Sequence, residues 1–325
     1  MKKEEFRIVF MGTPEFAVAS LDALLNENYN IAGVITSPDK PAGRGQKIMS
    51  SAVKKYALKS SLAPILQPVN LKDIAFLEKL QSLKPDLQVV VAFRMLPEVI
   101  WALPGCGTIN LHASLLPNYR GAAPINRVIM NGEKETGVTT FFIRQEIDTG
   151  NILFQERLKV KDDETAGQLH DRLMHAGAAL VVKTVRSIMD GNYSETNQSE
   201  FIAKDSVLKS APKITTENCQ INWDNNVKDI FNLIRGLSPY PAAWSEWTHD
   251  NEQKISLKIY YSDFEVLPHN YKPGTIITDH KKILKVACKN GFILIRDLQQ
   301  AGKKRMGVED FLRGNRNLEK FAVLI

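Results

Sequence analysis

The sequence predicts an α/β fold with a mainly parallel sheet, followed by a smaller β-rich domain of barrel character. Three observations carry this. Residues 6–160 alternate short apolar runs with helical patterns, and strands separated by helices need crossover connections, which build parallel sheets. The run LQVVVAF (87–93) is apolar but for Gln88, as a strand covered on both faces would be. Beyond residue 212 the pattern changes to short strands parted by Gly-, Asn- and Asp-rich turns, the signature of a small barrel.

The elements follow in order. RIVFMG (7–12) is a first strand ended by Gly12-Thr13-Pro14, and EFAVASLDALLNE is a helix with apolar residues at 16, 17, 19, 21, 24 and 25. IAGVITS (31–37), LQVVVAF, GTINLHAS (107–114) and GVTTFFI (137–143) are further strands. In parallel sheets, ligands sit beyond the carboxyl ends of the strands. That places Met11–Phe16, Phe93–Pro97, Asn110–Pro117 and Gln145–Gly150 near a site. Residues 164–190 read as one long helix ending at Gly191, and the polar stretch 192–212 as a linker. A helix (VKDIFNLIRGL), the strands AWSEW, KISLKIYYSDFEV, GTIITD, ILKVACK and FILIRDLQ, and a last helix near 308–313 complete the chain. The expected domains are 1–191 and 212–325, joined by 192–211.

Several function classes are disfavoured. With 325 residues, 44% hydrophobic and 24% charged, the chain has the composition of a globular protein of about two domains. Cys106, Cys219 and Cys288 are far apart and form no CxxC pair, which argues against disulfides and a zinc site and fits a reducing, cytoplasmic setting. The opening MKKEEFRIVFMG carries an apolar run interrupted by charge and lacks a small-residue cleavage site, so it reads as a strand and not a signal peptide. No apolar stretch reaches the length of a membrane span. Gly12-Thr13-Pro14 lacks the spaced glycines of a dinucleotide fingerprint, which disfavours a dehydrogenase.

The net charge of +6 is unevenly spread: residues 36–60 have a balance of +5 and residues 281–320 a balance of +7. Such concentration suits a polyanionic partner, although Lys-rich faces are often merely solvated. Arg44, between Gly43 and Gly45, offers a guanidinium to phosphate from a flexible loop tip.

Asn110, His112 and Asp148 carry the chemistry. Residues i and i+2 of a strand share a face, so Asn110 and His112 can converge on one atom. Asp148 follows the GVTTFFI strand; if that strand neighbours the Asn110–His112 strand, the carboxylate can reach the imidazole. An amide and an imidazole that donate to a developing oxyanion, with a carboxylate to help relay protons, suit acyl transfer. No Ser or Cys nucleophile is evident, so the attacking group belongs to the substrate. The competing reading is a buried His satisfied by its neighbours, which three polar residues at strand ends make less apt.

These residues lie in longer stretches that resemble the methionyl-tRNA formyltransferase family: FMGTPEFA (10–17), PDKPAGRGQK (38–47), INLHASLLPNYRGAAPI (109–125), ETGVT (135–139), IDTGNIL (147–153), PKIT (212–215), RGLSPYPAAW (235–244) and QAGKKRM (300–306). The resemblance runs almost end to end. It implies a Rossmann-like formyltransferase domain followed by an OB-like barrel, and formyl transfer from 10-formyltetrahydrofolate to the α-amine of initiator methionyl-tRNA; no metal and no membrane are expected, and a monomer is. It assigns carbonyl polarisation to Asn110 and His112 and proton handling to Asp148. It also implies folate contacts at Ser114, Leu115, Leu116, Pro117, Phe93 and Leu96. Arg44 and Lys47 would reach the tRNA from an inserted loop, and Lys303, Lys304 and Arg305 from the basic tail. Two positions depart from the family: Arg94-Met95 stands where a Gly-containing segment is usual, and Asn222 where Asp is common. Arg235 is left between tRNA and a partner domain. Related readings change the acceptor to a small amine, or keep RNA binding without catalysis. The first gives the basic segments no task, and the second retains the trio idly.

Overall fold

The structure, a computed structural model, describes residues 2–42, 47–202, 207–249, 254–315, 318 and 321–323. The chain divides into two compact units. The first comprises Met1–Gly121, Glu135–Lys159 and His170–Ser210; the second comprises Ala122–Lys134, Val160–Leu169 and Ala211–Ile325.

The elements run β1 (Arg7–Gly12), α1 (Glu15–Asn26), β2 (Asn30–Ile35), β3 (Lys40–Ala42), β4 (Lys47–Met49), α2 (Ala52–Lys59), β5 (Ile65–Leu66), α3 (Ile74–Ser82), β6 (Leu87–Val91), α4 (Glu98–Trp101) and β7 (Thr108–His112). Then come β8 (Arg120–Gly121), α5 (Pro124–Met130), β9 (Glu135–Phe142), β10 (Ile152–Lys159) and α6 (Ala166–Met189). The main sheet of the first unit has the order β10-β9-β7-β6-β1-β2-β5. From β5 to β7 the pairs are parallel. The crossovers reverse direction between β1 and β6, which makes that junction the switch point where such sheets open a crevice. Every residue of β6 is buried; the run is apolar but for Gln88, whose Oε1 accepts from Thr108 Oγ1 at 3.0 Å. On one face Val9, Met11, Ile35 and Val90 pack with Phe76, Leu80, Leu96 and Ile100.

The sheet departs from the expectation at one edge. β9 pairs antiparallel with β7, and β10 antiparallel with β9. The sequence also concealed α2 and α3. Each begins at a polar cap, Ser51 Oγ accepting from the Lys54 amide (3.0 Å) and Asp73 Oδ1 from the Phe76 amide (3.0 Å).

β11 (Ser210–Ala211) stands where the chain passes from the first unit to the second. The second unit then adds α7 (Val227–Leu237), β12 (Ala243–His249), β13 (Lys254–Val266), β14 (Ile276–Thr278), β15 (Leu284–Cys288), β16 (Gly291–Gln300), β17 (Met306–Gly307), α8 (Val308–Gly314) and β18 (Phe321–Val323). Its antiparallel sheet runs β14-β15-β16-β13-β12-β18, with β17 on β16. β14 approaches β18, so the sheet curls into a half-barrel of OB-like character. β13 is alternately exposed and buried along Lys254–Ile259, as a strand with one wet face must be. Trp223, Trp247, Leu257, Ile259, Ile293, Leu298 and Phe311 fill the interior with Val227, Ile230 and Ile234 of α7. The Trp223 indole donates to Ser245 Oγ at 3.0 Å, which satisfies a buried donor. Asn222 is exposed, and its side chain accepts from the Asp224 amide at 2.9 Å.

Arg235, on α7, is 4% exposed. Its Nη1 donates to the carbonyls of Glu164 (3.1 Å) and Lys161 (3.3 Å), and its Nε to Asn232 Oδ1 (2.8 Å). Burial lowers the pKa of the guanidinium. These partners belong to its own unit, which withdraws Arg235 from the tRNA candidates. Among the described residues, no helix is long and apolar enough to cross a membrane.

Burial pushes the Cys288 thiol up to about 12. The folded protein therefore keeps this proton at pH values where the unfolded chain, titrating near 9.0, has lost it. Stability should fall as pH rises from about 9 towards about 12, by at most about 1.4 kcal/mol per pH unit from this group. Between pH 8 and pH 10 the denaturant midpoint of the wild type should therefore drop further than that of Cys288→Ala. A thiol reagent should label half-exposed Cys106 first and buried Cys219 and Cys288 only on unfolding.

Candidate active site

β7 delivers Asn110 and His112 at its carboxyl end, next to β6 and hence beside the switch point. His112 is 6% exposed, whereas Asn110 is half-buried. The Asn110 amide makes no hydrogen bond with another described residue. It is a half-buried donor at the carboxyl end of β7 with its capacity unspent.

The turn after β7 returns the chain to the imidazole. Ser114 Oγ donates to the Asn118 carbonyl (2.7 Å). Thr139 Oγ1 donates to the Ser114 carbonyl (2.7 Å) and accepts from the Leu116 amide (3.2 Å). Gln155 Nε2 donates to the Leu116 carbonyl (2.8 Å). The turn ends at Tyr119, whose φ of 61° lies in the left-handed region that L-residues seldom adopt. There the Tyr119 carbonyl accepts from His112 Nε2 at 2.8 Å. Nδ1 is thereby turned towards Asp148, whose Oδ2 lies 3.7 Å away. That is too long for a hydrogen bond, so neither Nδ1 nor the carboxylate is spent on the other.

Asp148 arrives by a route the sequence did not suggest. Because β9 is antiparallel to β7, its last residue, Phe142, lies opposite Ile109 at the foot of β7, and His112 faces Thr139. The loop and the Asp148 side chain must recover three strand residues, roughly 10 Å. Gly150 permits this. A Cβ there would sit 1.6 Å from the Phe142 carbonyl oxygen, so no other residue lets the loop lie this close to β9. Asp148 has φ 54°, tolerable for Asp. Its Oδ2 accepts from the Gly121 amide at 3.0 Å, and Gly121 has φ 123°.

Gln198 escaped the sequence reading, being placed in the stretch expected to link the domains. It is 2% exposed and starts a short 3₁₀ turn capped by Asn197. Its Nε2 donates to the carbonyls of Asp148 and Gly150, each at 2.8 Å. Its Oε1 accepts from Arg120 Nε (3.0 Å) and Nη2 (2.5 Å). The Asn197…Glu200 capping-box spacing was the available signal.

The residues expected to touch folate fall into two groups. Ser114, Leu116 and Pro117 are buried, and Leu116 packs on Phe141 and Ile152, so their side chains serve the turn; Leu115 is half-buried. Phe93 and Leu96 pack on the cluster of Val9, Met11 and Val90 at the switch point. Arg94, one of the departures, donates from Nη1 to the Val69 carbonyl (2.8 Å) and from Nη2 to the Pro68 carbonyl, and covers the Phe93 ring at 5.6 Å. It pins the loop after β6, while Met95 is exposed.

The basic candidates also differ in state. Arg44 lies outside the described residues, as does the side chain of Lys47. At the base of that arm Lys54 pairs with Asp39 (2.5 Å), which also accepts from Gln67. These two partners, Lys54 first, hold the Asp39 carboxyl below its usual range. Arg305 is engaged by Asp297 and lies 4.2 Å over the Tyr260 ring. Lys303 and Lys304 are exposed and form no ion pair with another described residue. Among the described residues, no group of three or more His, Cys, Asp or Glu side chains is placed to hold a metal ion.

Residues 6–185 match the family model described as formyl transferase, and residues 213–316 its C-terminal domain. A methionyl-tRNA formyltransferase of Parabacteroides distasonis is 53% identical, covering 99% of this chain and 100% of its own. One from Flavobacterium johnsoniae is 53% identical over 96% of each chain. The fold is also that of a Helicobacter canadensis N-formyltransferase solved with folinic acid and dTDP-3-aminofucose: TM-score 0.65, 22% identity, 94% of this chain and 100% of that one.

Gly150→Ala should strain the 143–151 loop by about 1–3 kcal/mol. Hydrogen exchange there should accelerate roughly ten- to a hundredfold, with the core of the second unit unaffected. Arg94→Gly should likewise loosen residues 92–97 without changing exchange at 143–151.

Proposed function

The chain belongs to the methionyl-tRNA formyltransferases, and on that premise we propose that it transfers the formyl group of 10-formyltetrahydrofolate to the α-amine of methionyl-initiator tRNA through Asn110, His112 and Asp148. One observation above all supports these roles: an unspent amide donor and an imidazole turned towards a carboxylate meet at the end of β7, beside the switch point.

Asn110 donates to the formyl oxygen, and the bond strengthens as that oxygen gains charge. His112, through Nδ1, faces the same reacting centre. The attacking amine carries its own lone pair, which is why the chain needs no nucleophile of its own. A free α-amine has a pKa of about 7.7–8.0, so a useful fraction is neutral near pH 7.5. As the new C–N bond forms, the amine must lose a proton and the folate nitrogen must gain one when its bond to carbon breaks. Asp148 and His112 handle these protons. Phe93 and Leu96, on the pinned loop after β6, and the backbone of Ser114–Pro117 form the folate-facing wall.

The acceptor is held through its phosphates. Lys303 and Lys304 reach them from the β16–β17 turn, which Arg305 stiffens through Asp297; Arg44 and Lys47 reach them from the β3–β4 arm. A small-amine acceptor gives none of these a task. The proposed enzyme acts as a monomer, one chain carrying both the trio and the basic segments, and its three free cysteines suit a reducing cytoplasm.

His112→Ala and Asp148→Ala should each cut turnover by about 10²-fold or more while leaving tRNA affinity within about twofold. Arg44→Ala should weaken use of the tRNA and leave donor binding unchanged. Formyl acceptance by charged initiator tRNA should far exceed that by free methionine. Affinity for the tRNA should fall steeply with salt, the log–log slope steepening by roughly 0.9 for each duplex phosphate that the protein neutralises. Normal turnover by His112→Ala would refute the assigned chemistry.

A further inference from the structure

The three consecutive residues 119–121 each hold a different member of the site. Tyr119 takes His112 Nε2 on its carbonyl, Arg120 binds the Gln198 amide oxygen, and Gly121 donates to the Asp148 carboxylate. Gln198 closes the circuit by donating to the main-chain carbonyl of Asp148. Asp148 is therefore gripped at both ends from one short segment, at its carboxylate by Gly121 and at its backbone through Arg120 and Gln198. We propose that Gln198 and Arg120 are positioning residues for the transfer step, which set the distance between Asp148 and His112 without touching substrate.

The chemistry of the amide fits this task. Two carbonyls, those of Asp148 and Gly150, need two N–H donors, and the guanidinium needs an acceptor. Only a carboxamide offers two donors and an acceptor on one rigid group. A carboxylate would pair with Arg120 but present oxygen to two carbonyl oxygens. A methionine would fill the volume and satisfy neither side. The site needs such a clamp because the loop after β9 starts at the wrong end of β7. Nothing in the sheet's own hydrogen bonding fixes Asp148 near His112, and it sits at φ 54°, a conformation that must be over-determined to persist. Gln198 is 2% exposed, so water does not compete for these bonds.

The inference rests on the reaction proposed above, and its test separates the two. Gln198→Glu should lower kcat about 10- to 100-fold, the penalty of a misplacement of about 1 Å, with KM for formyl donor and tRNA within about twofold. In an Asp148→Asn background the same change should cost less than about threefold, because the residue it positions is already disabled. A merely structural residue would give the full loss in both backgrounds. The second readout needs no acceptor: exchange of the Gly121 amide, which is bonded to Asp148, should accelerate at least about tenfold in Gln198→Glu. Arg120→Lys keeps the charge but has a single donor group, and should show the same pattern with a smaller loss; it carries the test if Gln198→Glu does not fold. Unchanged kcat in a folded variant, additivity with Asp148→Asn, or unchanged exchange at Gly121 would overturn the proposal. If the wild type failed to formylate charged tRNA while Gly121 exchange still responded, the clamp would stand and the assigned reaction would fall.

Discussion

The site depends on one hydrogen bond, from His112 Nε2 to the Tyr119 carbonyl at 2.8 Å. It fixes which ring nitrogen faces outward. With Nε2 engaged, Nδ1 is the atom turned to Asp148, and the remaining geometry follows. The bond exists only because the turn between His112 and Tyr119 closes, and the turn closes because Ser114, Thr139 and Gln155 satisfy its main-chain groups. Ordered in this way, a buried imidazole loses none of its freedom at the moment of reaction. Preorganisation of this kind is what makes a polar group effective in a low-dielectric crevice.

The fold was legible where local patterns decide it. The largely apolar run of β6, the helix before Gly191 and the alternation along β13 each follow from burial on two faces, one stripe or one face. The direction of β9 was not legible, because an apolar strand reads alike in either orientation; only its partner's register sets it. That gap hid the problem Asp148 has to solve. Asn110, His112 and Asp148 could be named from spacing and type, yet the sequence could not say that Asp148 and His112 stand 3.7 Å apart without a hydrogen bond. Gln198 was hidden for a different reason. Its neighbours are polar and its stretch looks solvated, and its burial comes from long-range packing that composition does not record.

Charge shows the same limit. The basic balance of 281–320 suggested a broad cationic face, but Lys285, Arg296, Arg305 and Arg313 are paired with Glu265, Asp263, Asp297 and Asp310. These pairs are exposed or half-exposed and contribute little stability. Their effect is to remove cations from the phosphate-binding set and to hold local geometry. Lys281, Lys282, Lys289, Lys303 and Lys304 form no ion pair with another described residue. The surface is therefore patterned: Lys285 and the anchored arginines give shape, and the lysines without an ion pair among the described residues give field.

The same division covers Arg94, which stands where the resemblance leads one to expect a Gly-containing segment. Its guanidinium is spent on the Pro68 and Val69 carbonyls and on the Phe93 ring. The end of β6 is followed by Ala92 at φ 47°, and the loop is held from outside by a long side chain that bridges to another part of the unit. The cost of this arrangement lies in ordering a long side chain. A strut of this kind leaves Phe93 and Leu96 on the same apolar cluster as the ends of β1 and β6, so the wall of the crevice can be kept while the sequence that builds it changes.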